Sequence, residues 1–168
     1  MIQNNLIIGG YYGIRLYASA ANLNTYNQII NNEIDSVYYY GIYGYYQDSL
    51  EIEGNSVNML SRGNVNADGA YIYYSNNTKL SKNYIWAEDY GAYFYNSSTY
   101  APITRRIEIS NNMIYSASDY GLYLYYVDSV DIWHNSIHVE GTVAPAIQIN
   151  ATSTIPIGGY DVRNNIFS

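Results

Sequence analysis

Apolar residues in this chain alternate with polar ones over stretches of only two to four residues, as in Val130-Asp131-Ile132 and Asn135-Ser136-Ile137. A period of two marks short extended strands, because a helix would space its apolar positions three and four apart. Longer-range order lies on top of this alternation. The pattern apolar, two others, Asn, one other, apolar recurs seven times, running from Ile2 through Asn5 to Ile7, then Ile29-Asn32-Ile34, Ile52-Asn55-Val57, Leu80-Asn83-Ile85, Ile109-Asn112-Ile114, Ile132-Asn135-Ile137 and Val162-Asn165-Phe167. Successive Asn residues are 27, 23, 28, 29, 23 and 30 positions apart. The shortest spacing defines the unit.

A second block lies between these Asn residues: Gly13-Ile14-Arg15-Leu16, Gly41-Ile42-Tyr43-Gly44, Gly69-Ala70-Tyr71-Ile72, Gly91-Ala92-Tyr93-Phe94 and Gly121-Leu122-Tyr123-Leu124, with Ala146-Ile147-Gln148-Ile149 as a degenerate copy. Each unit therefore predicts three short strands, one before the Asn, one after it and one behind the Gly. A unit so small cannot bury its apolar side alone. Consecutive units must stack, strand over equivalent strand, into an all-β parallel solenoid of about six coils with a minimum period of 23.

The stacking predicts vertical columns. Ile14, Ile42, Ala70, Ala92, Leu122 and Ile147 form one interior column, and Leu16, Gly44, Ile72, Phe94, Leu124 and Ile149 the next. The repeated Asn is expected at a tight corner, adopting the left-handed conformation itself and bonding through its amide to the same Asn one coil away. Insertions beyond the minimum length fall at one corner, in 18–22, 96–102 and 151–156, with another between Asn55 and Gly69. Loops along one edge of a solenoid commonly flank a binding face.

On these motifs, best seen in the run from Gly121 to Ile137, the chain resembles the right-handed parallel β-helix repeats of the pectate-lyase-like superfamily, which also occur in carbohydrate-binding proteins and sugar hydrolases. The resemblance covers essentially the whole chain. It implies a right-handed, single-stranded parallel β-helix, and it leaves activity open because one fold hosts many functions. Pectate lyases use clustered Asp for calcium and an Arg as base, but Arg105 and Arg106 stand in an inserted loop without a matching motif.

Outward positions of the glycine strand are the second and fourth residues after Gly. In four central coils they are all tyrosine: Tyr43, Tyr71, Tyr93 and Tyr123 in one column, and Tyr45, Tyr73, Tyr95 and Tyr125 in the other. Coils must lie about 4.8 Å apart, within reach of offset aromatic contact. The rings could serve only to stack on one another. An aromatic strip can equally be an interaction surface, offering ring faces to sugar C–H groups and hydroxyls for hydrogen bonds.

A second outward column, four residues before each corner Asn, reads Gln28, Glu51, Lys79, Glu108, Asp131 and Asp161. Alternation of sign from Glu51 to Glu108 looks like charge balancing between strands. Glu108, Asp131 and Asp161 do not alternate, and their repulsion is expected to raise a pKa or recruit calcium. Carboxyls about 5 Å apart also approach the separation of a retaining glycosidase. These three are the candidates for catalysis and for calcium, against the plainer reading of an acidic sheet face. His134 and His138 are the only histidines, and His138 is expected near Trp86 and Tyr115.

Composition narrows the partners. Twenty-four of 168 residues are tyrosine, only 12% are charged and the formal net charge is −7, which disfavours nucleic acid. No apolar run is long enough to span a membrane, and no secretion signal follows Met1. Absence of cysteine removes disulfides, thiolate metal sites and Cys nucleophiles. The expectation is a single solenoid domain over 1–168, a piece of a longer solenoid or multidomain protein, extracellular or on a bacterial cell surface. It would be non-catalytic, without a cofactor unless calcium, and would bind polysaccharide through the tyrosines. The alternatives are a spacer or fibre segment making end-to-end or lateral protein contacts, and a polysaccharide lyase or glycoside hydrolase.

Overall fold

A computed structural model describes residues 1–97, 106–150 and 159–168. The chain winds as a parallel β-solenoid with three sheets. A seven-stranded sheet, here the pre-asparagine sheet, runs from Ile2–Gln3 through Gln28–Ile30, Glu51–Glu53, Lys79–Ser81, Ile107–Ser110 and Val130–Trp133 to Tyr160–Arg163. The seven-stranded post-asparagine sheet contains Leu6–Ile8, Glu33–Asp35, Ser56–Asn58, Tyr84–Ala87, Met113–Ser116, Ser136–Val139 and Ile166–Phe167. The six-stranded glycine sheet contains Tyr12–Tyr17, Tyr40–Tyr45, Asp68–Tyr73, Ala92–Tyr95, Leu122–Tyr125 and Ile147–Asn150. Neighbours within each sheet come from successive coils, so residues about two dozen apart in sequence become vertical neighbours.

The register matches the predicted columns. Ile14 pairs with Ile42, Ile42 with Ala70, Ala70 with Ala92, Ala92 with Leu122 and Leu122 with Ile147. Ile29, Ile52, Leu80, Ile109 and Ile132 line the interior from the pre-asparagine sheet without solvent exposure. Facing sheets approach closely at the glycines. A Cβ on Gly91 would lie 2.2 Å from Ile114 Cγ2 and 2.5 Å from the Gly121 carbonyl oxygen, so close approach, not a special φ, demands glycine there.

The corner asparagines form the expected ladder, but the backbone differs from expectation. Each Nδ2 donates to the Oδ1 of the Asn one coil on, from Asn5 to Asn165, at 2.9–3.0 Å. The same Oδ1 accepts the backbone N–H of the preceding coil's Asn at 2.8–3.1 Å. The left-handed φ belongs instead to the residue before the ladder Asn: Asn4, Asn31, Gly54, Lys82, Asn111, His134 and Asn164. The bend thus falls one residue early, which turns the following Asn side chain inward, where Asn55, Asn83, Asn112 and Asn135 are buried.

Of the insertions, 18–22 closes on itself through a Ser19–Asn22 bridge, and the one after Asn55 carries a short 3-10 helix, Leu60–Arg62. A two-stranded addition pairs Asn24–Thr25 with Gln47–Asp48. The loops predicted around 98–102 and 151–156, and Arg105 with them, lie outside the described residues.

Candidate functional site

Parallel pairing places Tyr43, Tyr71, Tyr93 and Tyr123 in one continuous column, and Tyr17, Tyr45, Tyr73, Tyr95 and Tyr125 in a second. Tyr45 stacks on Tyr73 at 5.1 Å, Tyr73 on Tyr95 at 4.5 Å and Tyr95 on Tyr125 at 5.3 Å between centroids. In the other column Tyr43 stacks on Tyr71 at 5.8 Å, Tyr71 meets Tyr93 edge to face at 4.8 Å, and Tyr93 stacks on Tyr123 at 4.8 Å. The eight rings are half-buried by one another.

Polar side chains close the columns at each end. At the first coil the Arg15 guanidinium lies 4.8 Å from the Tyr17 ring centre. At the last, Asn150 Nδ2 donates to the Tyr123 hydroxyl at 3.0 Å.

The face is broader than two columns. Tyr11 stacks on Tyr39 and Tyr12 on Tyr40 just before the glycines, Tyr90 stacks on Tyr120 in later coils, and Tyr46 stacks on Tyr74 beyond the strand ends. The sequence signal for these flanks was the tyrosine doublets 11–12, 39–40, 45–46, 73–74 and 125–126 and the single Tyr90 and Tyr120 before Gly91 and Gly121, all at the edges of the glycine block. Tyr12, Tyr40, Tyr43, Tyr71, Tyr73 and Tyr95 line most of an open groove of about 330 Å³, and every described residue lining that groove is a tyrosine. Burial pushes the Tyr40, Tyr43, Tyr71 and Tyr93 phenols above their ordinary value, so they remain neutral donors throughout the physiological range.

Beneath one edge of this face lies a carboxyl cluster that repeat spacing did not disclose. Asp68 is buried beside Tyr40, and its Oδ1 accepts the Tyr90 backbone N–H at 3.2 Å. Burial raises its pKa to about 8, with the Asp89 charge as the next contribution. Burial, then Asp119, raises Asp89 to about 6, and burial raises Asp119 as well. Among the described residues, no cation acts on any of the three.

The second predicted row also exists as a row. Glu51, Lys79, Glu108, Asp131 and Asp161 are successive partners in the pre-asparagine sheet. Countercharges and a hydroxyl stand beside its carboxylates. Arg106 grips Asp131 through two guanidinium nitrogens, with Nε at 2.8 Å from Oδ2, and Arg163 pairs with Asp161. Glu108 accepts a hydrogen bond from the Ser110 hydroxyl at 2.7 Å. Among the described residues, no three His, Asp or Glu side chains are grouped to hold a metal ion. On the post-asparagine sheet Trp86, Tyr115 and His138 stand in register, and the His138 ring lies 5.6 Å from that of Tyr115.

Among the described residues no helix is long and apolar enough to cross a membrane. No curated protein and no solved structure gave a match to the chain. The family model described as the right-handed β-helix region matches residues 21–168, all but the opening stretch of the wound, parallel architecture described above. The chain therefore belongs to the right-handed β-helix family.

Proposed function

We propose that the glycine-sheet face binds an extended polysaccharide, with Tyr43, Tyr71, Tyr93 and Tyr123 and their neighbours Tyr45, Tyr73, Tyr95 and Tyr125 as the contact surface, in a non-catalytic module working outside the cell. The groove whose described lining is tyrosine throughout carries this reading. Each ring offers an apolar face to sugar C–H groups and a neutral hydroxyl to sugar oxygens, and a ring held by its neighbours loses little entropy on binding. The groove lies across the strands, so a linear glycan would meet one pair of rings per coil.

The test is retention in affinity electrophoresis across a panel of neutral and acidic polysaccharides. Tyr71→Ala combined with Tyr93→Ala is expected to abolish retention while the β-sheet circular dichroism signal persists. Tyr84→Ala, on another sheet, should leave retention intact. Equal retention by the double variant and the parent chain rejects the reading.

The mutual stacking of the rings favours a second reading, in which the strip chiefly stabilises the coils or joins copies laterally. Each aromatic pair contributes about 0.5–1.5 kcal/mol beyond burial. On that reading the double variant loses stability, no glycan is retained by either chain, and sedimentation velocity of the parent chain shows concentration-dependent assembly.

A further inference from the structure

The post-asparagine sheet carries an outer groove unrelated to the tyrosine face. Outward side chains form two walls along the solenoid axis: Ser56, Tyr84, Met113 and Ser136 on one side, and Asn58, Trp86, Tyr115 and His138 on the other. Ile85, Ile114 and Ile137 also line a cavity of about 230 Å³ at the aromatic end. A second cavity of about 370 Å³ continues the groove past Ser56 and Asn58 to Glu33 and Asp35, and Trp86 lines both.

Chemistry changes along this groove. At one end stand two carboxylates on the same strand, Glu33 and Asp35. Neither takes part in an ion pair among the described residues. Glu33 is exposed and Asp35 half-buried, so a bound cation can meet both carboxylates, and a charge-assisted N–H is the strongest hydrogen bond they accept. At the other end Trp86 and Met113 are exposed apolar surface. The strands of this sheet contain no Lys or Arg.

A homopolysaccharide repeats one chemistry along its length, whereas this groove does not. We propose that it seats an extended polypeptide segment, with a Lys or Arg side chain at Glu33 and Asp35 and apolar side chains on Trp86 and Met113. Two coil rises separate the acidic rung from the Tyr84–Trp86 rung, about 10 Å, which an extended peptide covers in about three residues. The recognised segment thus has its cation about three positions from its first apolar side chain. The inference is independent of the glycan reading.

The probe is a fluorescein-labelled serine heptapeptide with arginine at its first position and leucine at its fourth and sixth, followed by anisotropy against the full chain. Saturable binding is expected. Asp35→Asn and Trp86→Ala should each weaken it at least tenfold with an unchanged circular dichroism spectrum, and Asp161→Asn, on another sheet, should not. A peptide of the same composition with leucine at both ends and arginine central should bind at least tenfold less well. The proposal is overturned by no saturable binding, by equal loss in Asp161→Asn, or by equal binding of the rearranged peptide, the last two indicating general attraction to an acidic protein. Retention of a glycan that Trp86→Ala abolishes, without peptide binding, also overturns it.

Discussion

Replacing Asn83 by alanine is expected to lower unfolding free energy by about 2–5 kcal/mol, because several buried groups lose partners at once. Asn83 Oδ1 accepts from both Asn55 N and Asn55 Nδ2, at 2.9 and 3.0 Å. Its own Nδ2 donates to the Ile52 and Ser81 carbonyls and to Asn112 Oδ1, all within 3.0 Å. The site is 1% exposed, so water cannot replace those contacts without entering the core. Asn5 occupies the same place in the first coil but is exposed, and Asn5→Ala should cost under about 1 kcal/mol. Urea denaturation followed by circular dichroism measures both. Equal losses at the two sites would show that the ladder does not act through burial.

Stability is expected to fall as pH rises from about 4 to about 8, and Asp68→Asn should remove much of that dependence. Asp68 has its folded pKa raised from 3.8 to about 8 by burial, with Asp89 and Asp119 adding to the rise. The folded chain therefore holds a proton that the unfolded chain gives up near pH 4. Its contribution is complete below that value and is lost as pH climbs through the folded pKa, an effect on the order of a few kcal/mol. Asp89, at about 6, acts in the same direction over a narrower window. Asp89 and Asp119 disfavour the ionised form of Asp68, the Tyr90 backbone N–H favours it, and the Asp68 charge in turn raises the phenols of Tyr40, Tyr71 and Tyr90. Glu53 opposes the trend at the acid end. Its hydrogen bond from Lys82 holds its pKa low, so its contribution fades on acidification. That partly exposed pair is a small term. Urea midpoints at pH 5 and pH 9 for the parent chain and Asp68→Asn provide the measurement. A parent midpoint that rises with pH, or a variant as pH-dependent as the parent, would contradict this account of the buried carboxyl.

The two sites explain what was legible beforehand. Asn83 could be assigned to a ladder because its neighbours are Asn one repeat away, and the repeat is visible as a string of letters. Asp68 could not be assigned to a cluster. It stands one residue before Gly69, while Asp89 and Asp119 stand two before Gly91 and Gly121, so no shared offset marks the three as neighbours. The corner before Gly69 is also lengthened by the insertion carrying Leu60–Arg62, which shifts positions relative to the repeat. The same limit hid Arg106 as the partner of Asp131, since its position just before a strand revealed neither its direction nor its reach.

Strand order, the interior columns, the asparagine ladder and both outward rows were set by the sequence alone, because a period of about two dozen residues with alternating burial admits one way of stacking. Tertiary structure decided which rings touch and how they tilt, which carboxylates find a guanidinium, and which side chains from different corners enclose a groove or a buried proton. Those outcomes depend on turn lengths and side-chain directions at the corners, where the repeat is broken and periodicity carries no information.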